Sequence, residues 1–297
     1  MSKLHVPVLL EDVVAGVKGI AVSNGIFIDG TFGRGGHTRE LMIARPEFQF
    51  IGLDCDADAL TYGEQEFAAE ITAGHLRLLR GNFSDLKKII DENTISPVVG
   101  CLLDLGVSSP QLDESHRGFS FYHSGPLDMR MDHSLDFTAA DIVNTWDEDG
   151  LNQLFQTLGE VRNPYRVTKK IIEMRKENEF TTTGELSQLI EKSMGWQKKG
   201  HHPATQFFLA LRLEVNQELA RLEKALPEIV SALAPGGRFL VITFHSLEDR
   251  IVKVAFKKMA GDGLGELVNK KVIQAEWTEK KGNPRARSAK LRIFQKM

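Results

Sequence analysis

Three acidic residues, Asp29, Asp54 and Asp104, each close an apolar run, and the first is followed by a loop rich in glycine. Ile26-Phe27-Ile28 is a short β-branched and aromatic run that ends at Asp29, before Gly30, Gly33, Gly35, Gly36 and His37. The pattern predicts strand, tight loop, then helix. Glycines at such a junction let the backbone approach a ligand, with the amides of the helix N-terminus pointing at it. By itself the loop reads equally as a turn that reverses the chain.

The next segment, FQFIGLDCDADAL, ends its apolar run at Asp54. An acid roughly 20 residues beyond a glycine loop, at the tip of a second strand, is placed to hold the hydroxyls of a ribose. The third run, VVGCLLDL, is almost wholly apolar and predicts a central parallel strand buried on both faces. A carboxylate at the end of such a strand is costly unless it serves a partner, which makes Asp104 a candidate functional group. The polar loop from Gly106 to Gln111 follows it, with Ser108 and Ser109. Phe83 comes after the strand Leu76 to Leu79, where its ring would either stack on an adenine or staple the next helix. The acid at Asp29 would repel a pyrophosphate, and with Thr31 it disfavours a nicotinamide dinucleotide. It suits a cationic cofactor such as S-adenosylmethionine, which carries an ammonium and a sulfonium.

These residues need a sheet to bring them to one edge, and the chain is long enough to build one. Its 297 residues predict a large α/β domain and a smaller one. Strands alternate with helices up to about residue 112 and again from 206 onward, with a long helix from Gln206 to Leu233, a strand from Arg238 to Phe244, and final strands over Val272 to Trp277 and Lys290 to Phe294. Between them, over 113–205, the alternation lapses into amphipathic helical pieces at Ala139 to Trp146, Leu151 to Leu158, Tyr165 to Lys176 and Thr183 to Met194. The predicted fold is therefore an α/β, Rossmann-like domain with a mostly helical insert. Cys55 and Cys101 sit in strand-like surroundings, as buried thiols of a reducing compartment do. His201 and His202 are adjacent without a third ligand pattern, so no metal site is expected. No targeting segment and no membrane-length apolar run is evident, and the cytoplasm is the expected compartment.

The net charge is −3, but it is unevenly spread. From Arg250 to the end there are 13 Lys and Arg against 4 Asp and Glu, which leaves −12 on the remainder. Arg250, Arg285, Arg287 and Lys290 are candidate contacts to a polyanion, or else partners for the acidic body.

Taken in order, DGTFGRGGH from Asp29, DLGVSSPQ from Asp104, RGFSF from Arg117, GPLDMRM from Gly125, HPAT from His202, FHSLEDR from Phe244 and NPRARS from Asn283 resemble, over essentially the whole chain, the RsmH (MraW) family of bacterial small-subunit rRNA methyltransferases. The resemblance implies a class I S-adenosylmethionine-dependent methyltransferase that acts on cytosine N4 of a cytidine in the decoding centre of 16S rRNA, within the small ribosomal subunit. Carried over by position, it implies a cofactor site of Gly35, Gly36, His37, Asp54, Phe83, Asp104 and Gln111, to which the loop reading adds Asp29 and Gly33. Asp104, Ser108 and Ser109 are the candidate catalytic residues, as acceptors for an N4–H. A homodimer is carried as an open expectation. The rival readings are a methyltransferase of the same fold with a different nucleic acid or protein substrate, and a noncatalytic RNA-binding module. The latter would leave three strand-end carboxylates clustered with no cation to offset them.

Overall fold

The computed structural model describes residues 7–195 and 202–297. His201, of the adjacent histidine pair, lies outside the described residues, as do the start of the N-terminal segment at His5 and the lysines Lys198 and Lys199 that precede that pair. The chain forms two compact units, one running to Gly106 and resuming over Leu219–Met297, the other spanning Val107–Glu218.

The first unit is built on a single sheet with strands β1 (Gly25–Asp29), β2 (Phe48–Asp54), β3 (Leu76–Arg80), β4 (Val98–Asp104), β5 (Leu233–Thr243), β6 (Gly265–Leu267), β7 (Ile273–Gln274) and β8 (Lys290–Lys296). Their order is β3-β2-β1-β4-β5-β8-β6, with β7 also paired to β8. β3 through β5 run parallel, and β8 is antiparallel to β5. The order reverses between β1 and β4, which opens a crevice outside the carboxyl ends of the strands, where open α/β sheets bind ligands. This is the Rossmann-like fold class expected from the sequence.

Side chains alternate across this sheet with period two, as the pleat requires. Phe27, Leu102, Leu240 and Ile242 face one layer, packed with Val13 and Val17 of the helix Leu10–Lys18 and Leu41 and Met42 of the helix Gly36–Ala44. Ile28, Leu103, Phe239 and Val241 face the other, against Leu222 and Ile229 of the helix Glu218–Ala232 and Val252 and Phe256 of the helix Ser246–Gly261. Burial on both faces explains the near-continuous apolar run of β4.

The expected long helix from Gln206 to Leu233 is two helices, Ala204–Val215 and Glu218–Ala232. Asn216 sets the break: its Nδ2 donates to the carbonyls of Met129 at 2.8 Å and Arg212 at 2.9 Å, and its Oδ1 accepts the Met131 amide at 2.8 Å. Gln217 then takes a left-handed φ of 50°, which redirects the chain. Phe207, Phe208 and Leu211 of the first helix belong to the core of the helical unit, with Ile142, Leu151, Phe155, Ile171 and Leu186. The strand expected over Val272 to Trp277 is limited to β7, and Trp277 instead opens the helix Trp277–Gly282. β6, not expected from the sequence, covers the edge of β8 beside it. Among the described residues no helix is long and apolar enough to cross a membrane, and no three His, Cys, Asp or Glu side chains are grouped as metal ligands.

Candidate active site

The carboxyl ends of β1, β2 and β4 carry Asp29, Asp54 and Asp104. Asp29 pairs in register with Gly52 and Leu102, so Asp54 and Asp104 each extend two residues beyond it on the flanking strands. The loop after β1 is fastened to both neighbours. The Gly33 amide donates to Asp54 Oδ2 at 2.7 Å, and the Asp104 amide donates to Thr31 Oγ1 at 2.6 Å. Asp29 receives the Thr38 hydroxyl at 2.7 Å and the Thr31 amide at 3.3 Å. Asp54 also accepts the Asp56 amide at 2.9 Å.

Glycine is required in this loop for two reasons. Gly33 and Gly35 hold φ of +54° and +68°, where L side chains are strained. A Cβ on Gly35 would also lie 2.6 Å from the Phe67 ring and 2.7 Å from that of Phe32. Gly30 permits a further close approach, for its Cβ would lie 2.6 Å from Leu103 and 3.7 Å from the Cβ of Phe83. Phe83 opens a 3-10 turn, half-buried against the sheet layer that holds Leu86 and Ile90.

His37, in the first turn of the helix Gly36–Ala44, is buried. Its Nε2 lies 2.9 Å from the Val8 carbonyl, which can only accept, so the ring proton sits on Nε2. Burial holds its pKa down at about 4, and the ring is neutral near pH 7. Its other nitrogen, Nδ1, lies 3.6 Å from Asp104 Oδ2. Asp104 Oδ1 is buried and has no hydrogen-bond partner among the described residues. Burial first, then the charges of Asp29 and Glu248, push the Asp104 carboxyl up to about 8. Burial likewise raises Asp29 and Asp54 to about 6, against the hydrogen bonds they accept.

Two further residues at this edge were not singled out from the sequence. After β5, His245 caps the helix Ser246–Gly261, and the buried Glu248 carboxylate accepts the Phe244 amide at 2.9 Å and the His245 amide at 3.4 Å. Both fall within the FHSLEDR motif, but a histidine is not among the residues that usually mark a helix cap, so their pairing did not show in the pattern. β5 pairs with β4 so that Ile242 stands opposite Asp104, which brings the Glu248 charge into its field.

This donor set fits a cation bearing a ribose: three raised carboxyls, a buried acceptor without a partner, and a glycine cradle that a Cβ would fill. The comparison that decides the class is a match over residues 2–297 to the MraW methylase family. The chain belongs to that family. Curated relatives titled ribosomal RNA small subunit methyltransferase H agree with it. That of Bdellovibrio bacteriovorus is 47% identical over 296 residues, covering 99% of this chain and 88% of the relative. That of Elusimicrobium minutum is 43% identical, covering 99% and 98%, and that of Coprothermobacter proteolyticus is 41% identical, covering 98% and 96%.

Asp29, Gly33, Gly35, Gly36, His37, Asp54, Phe83 and Asp104 all lie in the first unit, at or beside the strand ends. Ser108, Ser109 and Gln111 belong to the helical unit, where Ser108 caps the short helix Ser109–Asp113 and its amide donates to Gln111 Oε1 at 2.9 Å. Of the candidate polyanion contacts, Arg250 and Arg287 are exposed and Arg285 is half-buried. Lys290 is engaged within the fold, its Nζ 3.0 Å from Asp249 Oδ2, while Arg292 holds Oδ1 at 2.8 Å.

Proposed function

We propose that this protein methylates N4 of a cytidine in the decoding centre of 16S rRNA, with S-adenosylmethionine as the methyl donor. The observation that carries the reading is the whole-chain match to the methylase family, joined to an edge whose clustered carboxyls call for a cationic ligand. When bound, the cofactor supplies a methyl group made electrophilic by its sulfonium. Gly33, Gly35, Gly36 and His37 would cradle it, Asp54 would hold the ribose hydroxyls, and Phe83 would lie at the adenine. Asp29 and Asp104 would offset its positive charge, and Gln111 completes the proposed set.

The cytosine amino group is a weak nucleophile because its lone pair is delocalised into the ring, so the base must be turned out and held in line. In this proposal Asp104 Oδ1 accepts an N4–H and orients the lone pair. No strong base is needed before transfer, because the amino group becomes acidic only once it is methylated. Asp104 then takes the proton, with Ser108 and Ser109 on the chain just beyond β4 as alternative acceptors. Arg250, Arg285 and Arg287 contact RNA phosphates, and a homodimer belongs to the same proposal, with equilibrium sedimentation as its check.

The test is transfer of labelled methyl from S-adenosylmethionine to small subunits purified from cells lacking this protein, followed by nucleoside analysis. N4-methylcytidine in 16S rRNA is the expected product. Cofactor binding by calorimetry without any transfer would overturn the substrate assignment and keep the fold. Near-normal turnover of D104A at saturating cofactor would remove Asp104 from the chemistry.

A further inference from the structure

Trp277 stands 71% exposed at the start of the helix Trp277–Gly282. An exposed side chain is ordinary by itself, but an indole offers a large flat apolar face, and this one stands among cations. One turn on, Lys281 Nζ lies 5.2 Å from the centre of its ring. Six cations fall between residues 270 and 287, namely Lys270, Lys271, Lys280, Lys281, Arg285 and Arg287, against Glu276 and Glu279 in the same segment and Asp12, which feels the charges of both, with its neighbour Glu11. Glu279 is already committed, since its Oε1 accepts the Leu9 amide at 2.7 Å.

That bond fixes where the aromatic residue stands. Leu9 takes a left-handed φ of 54° just before the helix Leu10–Lys18. Its neighbour Val8 presents the carbonyl that lies 2.9 Å from His37 Nε2. Two hydrogen bonds, one residue apart, thus tie the Trp277 helix to His37, a member of the cofactor site in the function proposed above, at the start of the helix that follows the glycine loop. Beneath it, Ala275, Ala286 and Ala289 are buried in the sheet layer, which anchors both the helix and the turn Pro284–Arg287.

We propose that Trp277 is a stacking platform for an unpaired nucleotide of the RNA substrate near the target cytidine, with Lys281 and Arg287 on the adjoining phosphates. The inference rests on the rRNA reading and deepens it. A base that must be turned out for methylation has flanking nucleotides whose faces are accessible, and any base can stack on an indole. Six cations against four carboxylates leave this face net positive, and so complementary to a polyanion. It opposes a second copy of the same positive face, and a six-residue helix with one aromatic residue is too small to hold a lipid surface.

The experiment compares the wild type, W277A, W277F and K281A by fluorescence anisotropy. The probe is a labelled single-stranded oligoribonucleotide of the decoding-centre sequence, titrated across a series of salt concentrations. W277A is expected to bind about tenfold more weakly with an unchanged salt slope, and W277F to recover most of that loss. K281A is expected to reduce the slope by about 0.7, the value for one contact to a single strand. Calorimetric cofactor affinity and the urea midpoint should match the wild type in all three. W277A binding the probe within twofold of the wild type would overturn the proposal, as would a W277A defect confined to self-association in sedimentation or to adsorption on anionic vesicles. Wild-type methyl transfer alongside such a result would leave the rRNA function standing, whereas absence of transfer by the wild type would remove the function and this inference together.

Discussion

Replacing Asp104 by Asn should make the cofactor-free protein more stable, and by an amount that depends on pH. The carboxyl is raised from 3.8 to about 8 in the folded chain by burial and by the charges of Asp29 and Glu248. A group whose folded pKa lies above its unfolded value gives stability that is complete below the unfolded pKa and is lost as pH rises toward the folded one. From about pH 4 to about pH 8 the wild type therefore loses about 1.4 kcal/mol per pH unit through this group. Asn keeps the shape and has no proton to lose. The stability difference between D104N and the wild type should then widen by about 2 kcal/mol between pH 6 and pH 8, and level off by about pH 9. Asp54 titrates lower, near 6, and His37 near 4, so their contributions are largely common to both proteins, whereas Asp29, also near 6, is coupled to Asp104 and adds to the difference around that pH. The assay is urea unfolding of the cofactor-free protein at constant ionic strength, at half-unit steps from pH 5 to pH 9. Parallel profiles for the two proteins would refute the reasoning, since they would mean that the carboxyl is already ionised in the fold at pH 6. The same substitution should weaken cofactor binding, which separates a functional carboxyl from one that is merely costly.

Gly35→Ala should lower cofactor affinity and cost about 1–3 kcal/mol of stability, because φ of +68° and the contacts with Phe67 and Phe32 both oppose a Cβ. Calorimetry and unfolding check it, and a silent variant would mean that the loop relaxes freely. D249A should destabilise by about 1–3 kcal/mol in denaturant melts, for it leaves Lys290 and the more buried Arg292 without their shared acceptor. R285A and R287A should each reduce the salt slope of RNA binding, whereas K290A should leave the slope alone and lower stability. An unchanged slope in both arginine variants would assign those side chains to pairing within the protein.

The parallel strands, the glycine loop and the three strand-end acids were legible from the sequence because each rests on local pattern. Apolar runs of strand length bounded by glycine and acid predict β1, β2 and β4 without knowledge of their neighbours. The amphipathic helices of the second unit follow from their own periodicity, as Thr183–Met194 does. Helix and strand ends set by distant partners were not legible. Nothing in the sequence near Asn216 announces that its amide will serve Met129 and Met131, so the break after Val215 was missed. The short β6 and the brevity of β7 depend on β8, which arrives from later in the chain.

The sequence by itself pointed to the kind of ligand, since an acid at Asp29 ahead of the glycine loop disfavours a pyrophosphate and suits a cation. Only the tertiary structure decided the state of the ionisable groups. Burial raises the three carboxyls, holds His37 neutral against the Val8 carbonyl and leaves one Asp104 oxygen without a partner. It also withdraws Lys290 into a pair with Asp249, and leaves Trp277 in water on a helix held to Leu9 through Glu279. The physical reason is that residue type fixes which charges a chain carries, whereas desolvation and pairing are properties of neighbours that the fold alone supplies.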